Sequence, residues 1–94
     1  MKLLMLIVDE ERKEELEVVL RRSGVTGYTE LPHATGFGAT GQRLGSASHP
    51  KTSAVILTLV EPDAALRLAE DLKAYCADCK ERVKMITWTA EQIL

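Results

Sequence analysis

Aromatic side chains make up only 4% of this 94-residue chain: one Trp, two Tyr and one Phe. That leaves few platforms on which single-stranded bases stack. An excess of positive charge is also missing, since 12 Lys and Arg face 14 Asp and Glu for a formal net charge of −2. Without that excess nothing holds a polyanion, and nucleic acid is not an expected partner. No segment approaches the roughly 18 to 20 apolar residues that cross a bilayer, so the chain is not expected to be membrane-embedded. The apolar run from Leu3 to Val8 stops at Asp9, and charge follows where a signal peptide carries its small-residue cleavage site. A mature, cytoplasmic protein is expected. Cys76 and Cys79 are too few for a disulfide framework of the secreted kind.

What is present suffices for one domain, residues 1–94, with a core and a solvated surface: 46% of residues are hydrophobic and 28% charged. Residues 2–8 read as a buried strand, too short for an ordinary helix. Asp9 is placed to cap a helix whose start carries Glu10, Glu11, Glu14 and Glu15 and whose end carries Arg21 and Arg22, the charge order the helix dipole favours. Leu16, Val19 and Leu20 give its apolar stripe, and Gly24 its stop. Val25–Leu31 reads as a second strand. From Pro32 to Pro50 glycine alternates with Ala, Thr and Ser and no apolar period survives, which predicts a long mobile loop. Thr52–Val60 reads as a third strand. A second helix starts at Glu61-Pro62-Asp63, with Ala65, Leu68, Ala69, Leu72 and Cys76 on one face. Val83–Trp88 reads as a fourth strand.

This order predicts an α+β, ferredoxin-like βαββαβ fold with a long glycine-rich loop between strands 2 and 3. Both helices then cover one face of an antiparallel sheet. The first strand is nevertheless apolar on both sides, with Leu3, Met5 and Ile7 pointing one way and Leu4, Leu6 and Val8 the other. An uncovered apolar face implies a partner, most economically another copy of the chain.

The stretch Gly24-Val25-Thr26-Gly27-Tyr28-Thr29-Glu30, followed by Gly36-Phe37-Gly38, resembles the second strand and T-loop start of PII signal-transduction proteins, which read G-V-x-G-M-T-V and then G-F-G. Lys84-Met85-Ile86-Thr87 falls where that family has G-K-I-F-V, and Glu91-Gln92-Ile93-Leu94 where it has E-x-V-I. The resemblance implies a homotrimer that regulates other proteins and is not an enzyme. It also implies nucleotide or small-anion sites between subunits, and a T-loop that docks on a membrane transporter or an enzyme. Departures bear on the ligand. Ala39-Thr40-Gly41 stands where the family has R-Q-K-G, and Asp78–Lys84 replaces the glycine-rich B-loop and keeps only its lysine. Glycines there let backbone N–H groups wrap a phosphate. With fewer such donors, AMP, ADP or bicarbonate suits the site better than ATP.

The candidate ligand-binding residues are Thr29, Gly36, Phe37, Gly38, Thr40, Gln42, Arg43 and Lys84. Thr29 falls where the family often has a nucleotide-contacting threonine. Glycine permits close backbone approach, and Arg43 supplies a planar donor fork for phosphate or carboxylate. The same loop equally serves as a flexible surface that touches only a partner protein. Cys76 and Cys79 form C-x-x-C, two of the usual four zinc or copper ligands, and His33 and His49 bracket the loop as candidates for the others. Two further readings of the pair stand beside this one: a redox couple, or Cys76 as a core residue continuing the helix stripe. No catalytic set is visible. Ser46 and Ser48 lie near His49, but a glycine-rich loop does not preorganise a triad.

Overall fold

The computed structural model describes residues 1–38, 41–43, 45–46, 51–75 and 83–94, with only the backbone at 38 and 41–43. Strand β1, Lys2–Asp9, leads through a 3₁₀ turn, Glu10–Arg12, into α1, Lys13–Arg22. Strand β2 is Thr29–Ala34, and the short strands β3, Gly36–Gly38, and β4, Gly41–Arg43, follow it. Strand β5 is Ser53–Val60, α2 is Pro62–Tyr75 and β6 is Val83–Thr89. The main sheet is antiparallel in the order β2-β5-β1-β6, while β3 and β4 pair as a separate hairpin. The expected ferredoxin-like order is present, with this hairpin added.

Alternation along β1 sorts its side chains as the pattern predicts. Leu4, Leu6 and Val8 are buried beneath the helices with Leu16, Val19 and Leu20 of α1 and Ala65, Leu68 and Leu72 of α2. Ala54, Ile56 and Val60 of β5 complete that layer. Leu3, Met5 and Ile7 face the side without helices and are half-buried. Cross-strand rows continue this open face: Leu31, Val55, Ile7 and Lys84 in one, and Thr29, Leu57, Met5 and Ile86 in the next. Leu59, Leu3 and Trp88 form a third. Leu31, Leu59, Ile86 and Trp88 are all exposed there.

The C-terminus of α1 explains why β2 starts later than Val25. The Val25 N–H bonds Leu20 O at 3.0 Å and the Gly24 N–H bonds Arg21 O at 3.2 Å, with Gly24 at φ +89. This is the paired pattern of a glycine-ended helix, in which the residue after the glycine packs back on the last turn. Val25 is buried in the core and spends its apolar side chain on the cap. The buried Ser23 hydroxyl donates to Asp71 Oδ2 at 2.5 Å, and Arg67 Nε donates to Ser23 O at 3.2 Å, so α2 grips the same helix end.

Three other boundaries differ from expectation. Asp9 ends β1 and makes no side-chain capping hydrogen bond; the 3₁₀ turn intervenes before α1. Strand β2 continues through Pro32 to Ala34, which its edge position permits because a proline there removes no needed donor. A register shift between Leu31 and Ala34 marks a bulge. The Pro32–Pro50 segment, expected without structure, contains the β3–β4 hairpin. Backbone pairing of Phe37 with Gln42 and of Gly36 with Arg43 needs no apolar period.

Candidate functional site

Thr29 opens β2 on the open face, opposite Leu57 of β5. Together with Gly27, Tyr28, Leu3, Leu57, Thr58 and Leu59 it lines a shallow concavity of about 340 Å³. The floor is fixed where the buried Thr58 hydroxyl donates to Gly27 O at 2.6 Å, tying the segment before β2 to β5. Gly36, Phe37 and Gly38 form β3, and Phe37 stands 82% exposed. Gln42 and Arg43 belong to β4. Lys84 lies on β6 opposite Ile7, exposed on the open face. Thr40 lies outside the described residues.

The sheet separates these candidates. Strands β2 and β6 are its two edges, with β5 and β1 between them. Three strand spacings put them roughly 14 Å apart. Thr29 and the hairpin that follows β2 therefore belong to one edge and Lys84 to the other, and a single copy does not bring them onto one small ligand.

A second polar constellation sits where β2 ends and β5 begins. Glu10 Oε1 accepts from the Thr52 hydroxyl at 2.8 Å and from the His33 backbone N–H, and His33 Nδ1 lies 3.0 Å from the same oxygen. The Glu10 backbone N–H also bonds Thr52 O at 3.2 Å. Burial pushes the Glu10 carboxyl up. The Thr52 hydroxyl, the His33 amide and the nearby His33 ring and Lys13 ammonium outweigh it, and hold the group below its ordinary 4.5. Beside it Lys13 Nζ bridges Glu30 Oε2 at 3.3 Å, and that bond and charge push the Lys13 ammonium up. The other Glu30 oxygen, Oε1, is buried with no partner among the described residues.

Sequence reasoning did not single out Glu10, Thr52, Tyr28 or Leu57. Glu10 reads as one of several acids at a helix start, and its partners lie 23 and 42 positions away, beyond any local pattern. His33, a candidate metal ligand, is engaged by Glu10. The other candidates, Cys76, Cys79 and His49, lie outside the described residues. Among the described residues no three His, Cys, Asp or Glu side chains form a group able to hold a metal ion.

Over residues 1–89 the sequence matches the profile of the nitrogen regulatory protein P-II family. The chain belongs to that family. The motifs that carried the resemblance, Gly24–Glu30 and Gly36-Phe37-Gly38, fall within the matched range. Among solved structures, CPII from Thiomonas intermedia K12, a nitrogen regulatory PII-like protein bound to ADP, AMP and bicarbonate, is 23% identical with a TM-score of 0.72. The alignment covers 93% of this chain and 84% of that one. The apo form of CPII gives 21% identity, a TM-score of 0.65 and coverage of 93% and 87%. A PII-like signaling protein from Thermus thermophilus gives 19% identity, a TM-score of 0.69 and coverage of 93% and 83%. At these identities the likeness establishes the PII fold. Among curated proteins no sequence matches significantly. No helix among the described residues is long and apolar enough to cross a membrane.

Proposed function

We propose that this PII-family protein is a cytoplasmic, non-enzymatic regulator. It assembles as a homotrimer, binds AMP, ADP or bicarbonate in clefts between subunits, and presents its T-loop to a membrane transporter or an enzyme. One observation carries the reading: the candidate residues divide between the two edges of one sheet, and an uncovered apolar face lies between them. Packing the open faces of three copies buries that face and sets the Thr29 edge of one copy beside the Lys84 edge of the next. Thr29 and the Thr58-braced concavity then take the neutral part of an effector, with Lys84 and Arg43 supplying positive charge. The CPII complexes with ADP, AMP and bicarbonate support this choice of effector class.

Sedimentation equilibrium at micromolar concentration, followed by calorimetric titration with AMP, ADP, ATP, bicarbonate, zinc and copper, tests the proposal. The expected outcome is a mass of three chains and heat from AMP, ADP or bicarbonate. A single-chain mass with no response to these ligands overturns it. A zinc or copper response that disappears in C76S/C79S replaces it with a metal-binding function.

A further inference from the structure

The Glu10 carboxylate adds a side-chain tie among three parts of the chain that meet at the last rungs of the sheet, where Ser53 pairs with Asp9 on one side and with Ala34 on the other. It belongs to the turn between β1 and α1, while His33 lies at the end of β2 and Thr52 immediately precedes β5. These two stems carry the segment that contains the β3–β4 hairpin. Beyond the bulge the β2–β5 ladder has one remaining rung, Ala34 with Ser53, cut off from the rungs at Thr29, Glu30 and Leu31. A lone rung closing a long loop is weak, because closure costs chain entropy that one pair does not offset. The bulge also places His33 at φ 55, the left-handed region that a non-glycine residue occupies at a cost. In that conformation both the His33 N–H and Nδ1 reach Glu10 Oε1. The opposite stem reaches the same oxygen through the Thr52 hydroxyl.

We infer that Glu10 is a latch: its carboxylate, gripping His33 and Thr52, holds the two stems together and the bulge in its left-handed form. The direction in which the hairpin segment leaves the sheet is thus set from the β1–α1 turn. Releasing Glu10 frees the stems and leaves the core intact, since Leu4, Leu6, Leu20 and Leu68 pack without any contribution from this cluster. The lowered proton affinity of Glu10 agrees with a carboxylate whose charged form is held by donors. Lys13, bonded to Glu30 on β2, backs the latch from α1.

Amide exchange followed by NMR on the full chain tests this latch. A hydrogen bond to a charged group contributes roughly 1.5 to 3 kcal/mol, which is about tenfold or more in a local opening equilibrium. E10A is expected to speed exchange at His33 by about tenfold or more, with Leu6 and Leu20 changing less than about threefold. T52V, which removes one donor, gives a smaller rise at the same site. E10D, whose carboxylate is one methylene too short to span both stems, repeats the effect of E10A and serves if E10A fails to fold. H33G is expected to keep slow exchange at position 33, because glycine adopts positive φ freely and the backbone N–H still meets Glu10. Unchanged exchange at His33 in E10A overturns the latch. So does an equal rise at Leu6 and Leu20, which makes Glu10 a general stabiliser. Loss of protection in H33G with Glu10 intact assigns the hold to the imidazole and overturns it as well.

Discussion

Replacing Ile86 by Asp places a carboxylate on the open sheet face, at the edge strand and directly opposite Met5. On that face Leu31 remains 51% exposed, Leu59 40%, Ile86 39% and Trp88 45%. Full burial of such a side chain is worth about 1.5 to 3 kcal/mol, so the area still exposed leaves about 1 kcal/mol for each and about 4 kcal/mol for the four. The I86D substitution removes about a quarter of that gain. It also moves an ion out of water on assembly, at an effective cost of several kcal/mol. Association should weaken by about 100-fold or more, since every 1.4 kcal/mol is a factor of ten. The isolated chain should tolerate the change, because position 86 is part-exposed and lies outside the helix-covered core. Sedimentation velocity across a concentration series reads the assembly, and far-UV circular dichroism reads the fold. The expected result is a three-chain species for the unaltered protein and a folded single chain for I86D. A variant that assembles with unchanged affinity refutes the assignment of this face as the subunit contact, as does an unaltered protein that sediments as one chain.

Three further outcomes are expected. G24A should lower stability by about 1 to 2 kcal/mol in chemical denaturation, because φ +89 is unfavourable for any Cβ. The space itself is adequate, as the new Cβ would meet Arg67 Nη2 at an ordinary 3.5 Å. R43A should weaken ADP or bicarbonate binding by about tenfold in calorimetry, while C76S/C79S leaves it nearly unchanged. The folded Glu10 carboxyl titrates below its unfolded value of 4.5, so the stability it contributes is present above pH 4.5 and fades as pH falls through the lower folded value. Denaturation midpoints measured from pH 6 down to about pH 3 should therefore fall less steeply for E10Q than for the unaltered chain.

The elements written in apolar periodicity were legible: β1, α1, the centre of β5, and α2 with Pro62 at its first position. Their signals are local, and burial under the helices selects the side chains the alternation names. Val25 shows where the same signal misleads. An apolar residue after a helix-ending glycine serves the cap as readily as a strand, and here it bonds Leu20 O. The β3–β4 hairpin carried no legible pattern, because backbone pairing between Gly36-Phe37-Gly38 and Gly41-Gln42-Arg43 leaves little side-chain periodicity. Within the candidate site, Thr29 and Lys84 could be named from the family motifs. Their placement on opposite sheet edges follows only from the strand order. The Glu10 cluster was illegible for a different reason: a carboxylate at a helix start is common, and what distinguishes this one is a pair of donors brought in by the fold.

The strand order also governs how the chain reaches its native state. Strand β1 lies in the middle of the sheet and is bonded on one side to β5 and on the other to β6, with Lys2 opposite both Val60 and Thr89. Its hydrogen-bonding capacity is completed by residues more than fifty positions downstream on one side and more than eighty on the other near this end. Such non-local pairing slows folding, since each contact is preceded by closure of a long loop. Until β6 arrives, β1 presents Leu3 to Val8 along an unpaired edge, the kind of apolar strand that pairs with other chains. The early helix α1 can shelter only one of its faces. Chains of this protein that end before Val83 therefore expose an adhesive strand at the centre of what should be the sheet, and the last strand acts as the guard against self-association during synthesis.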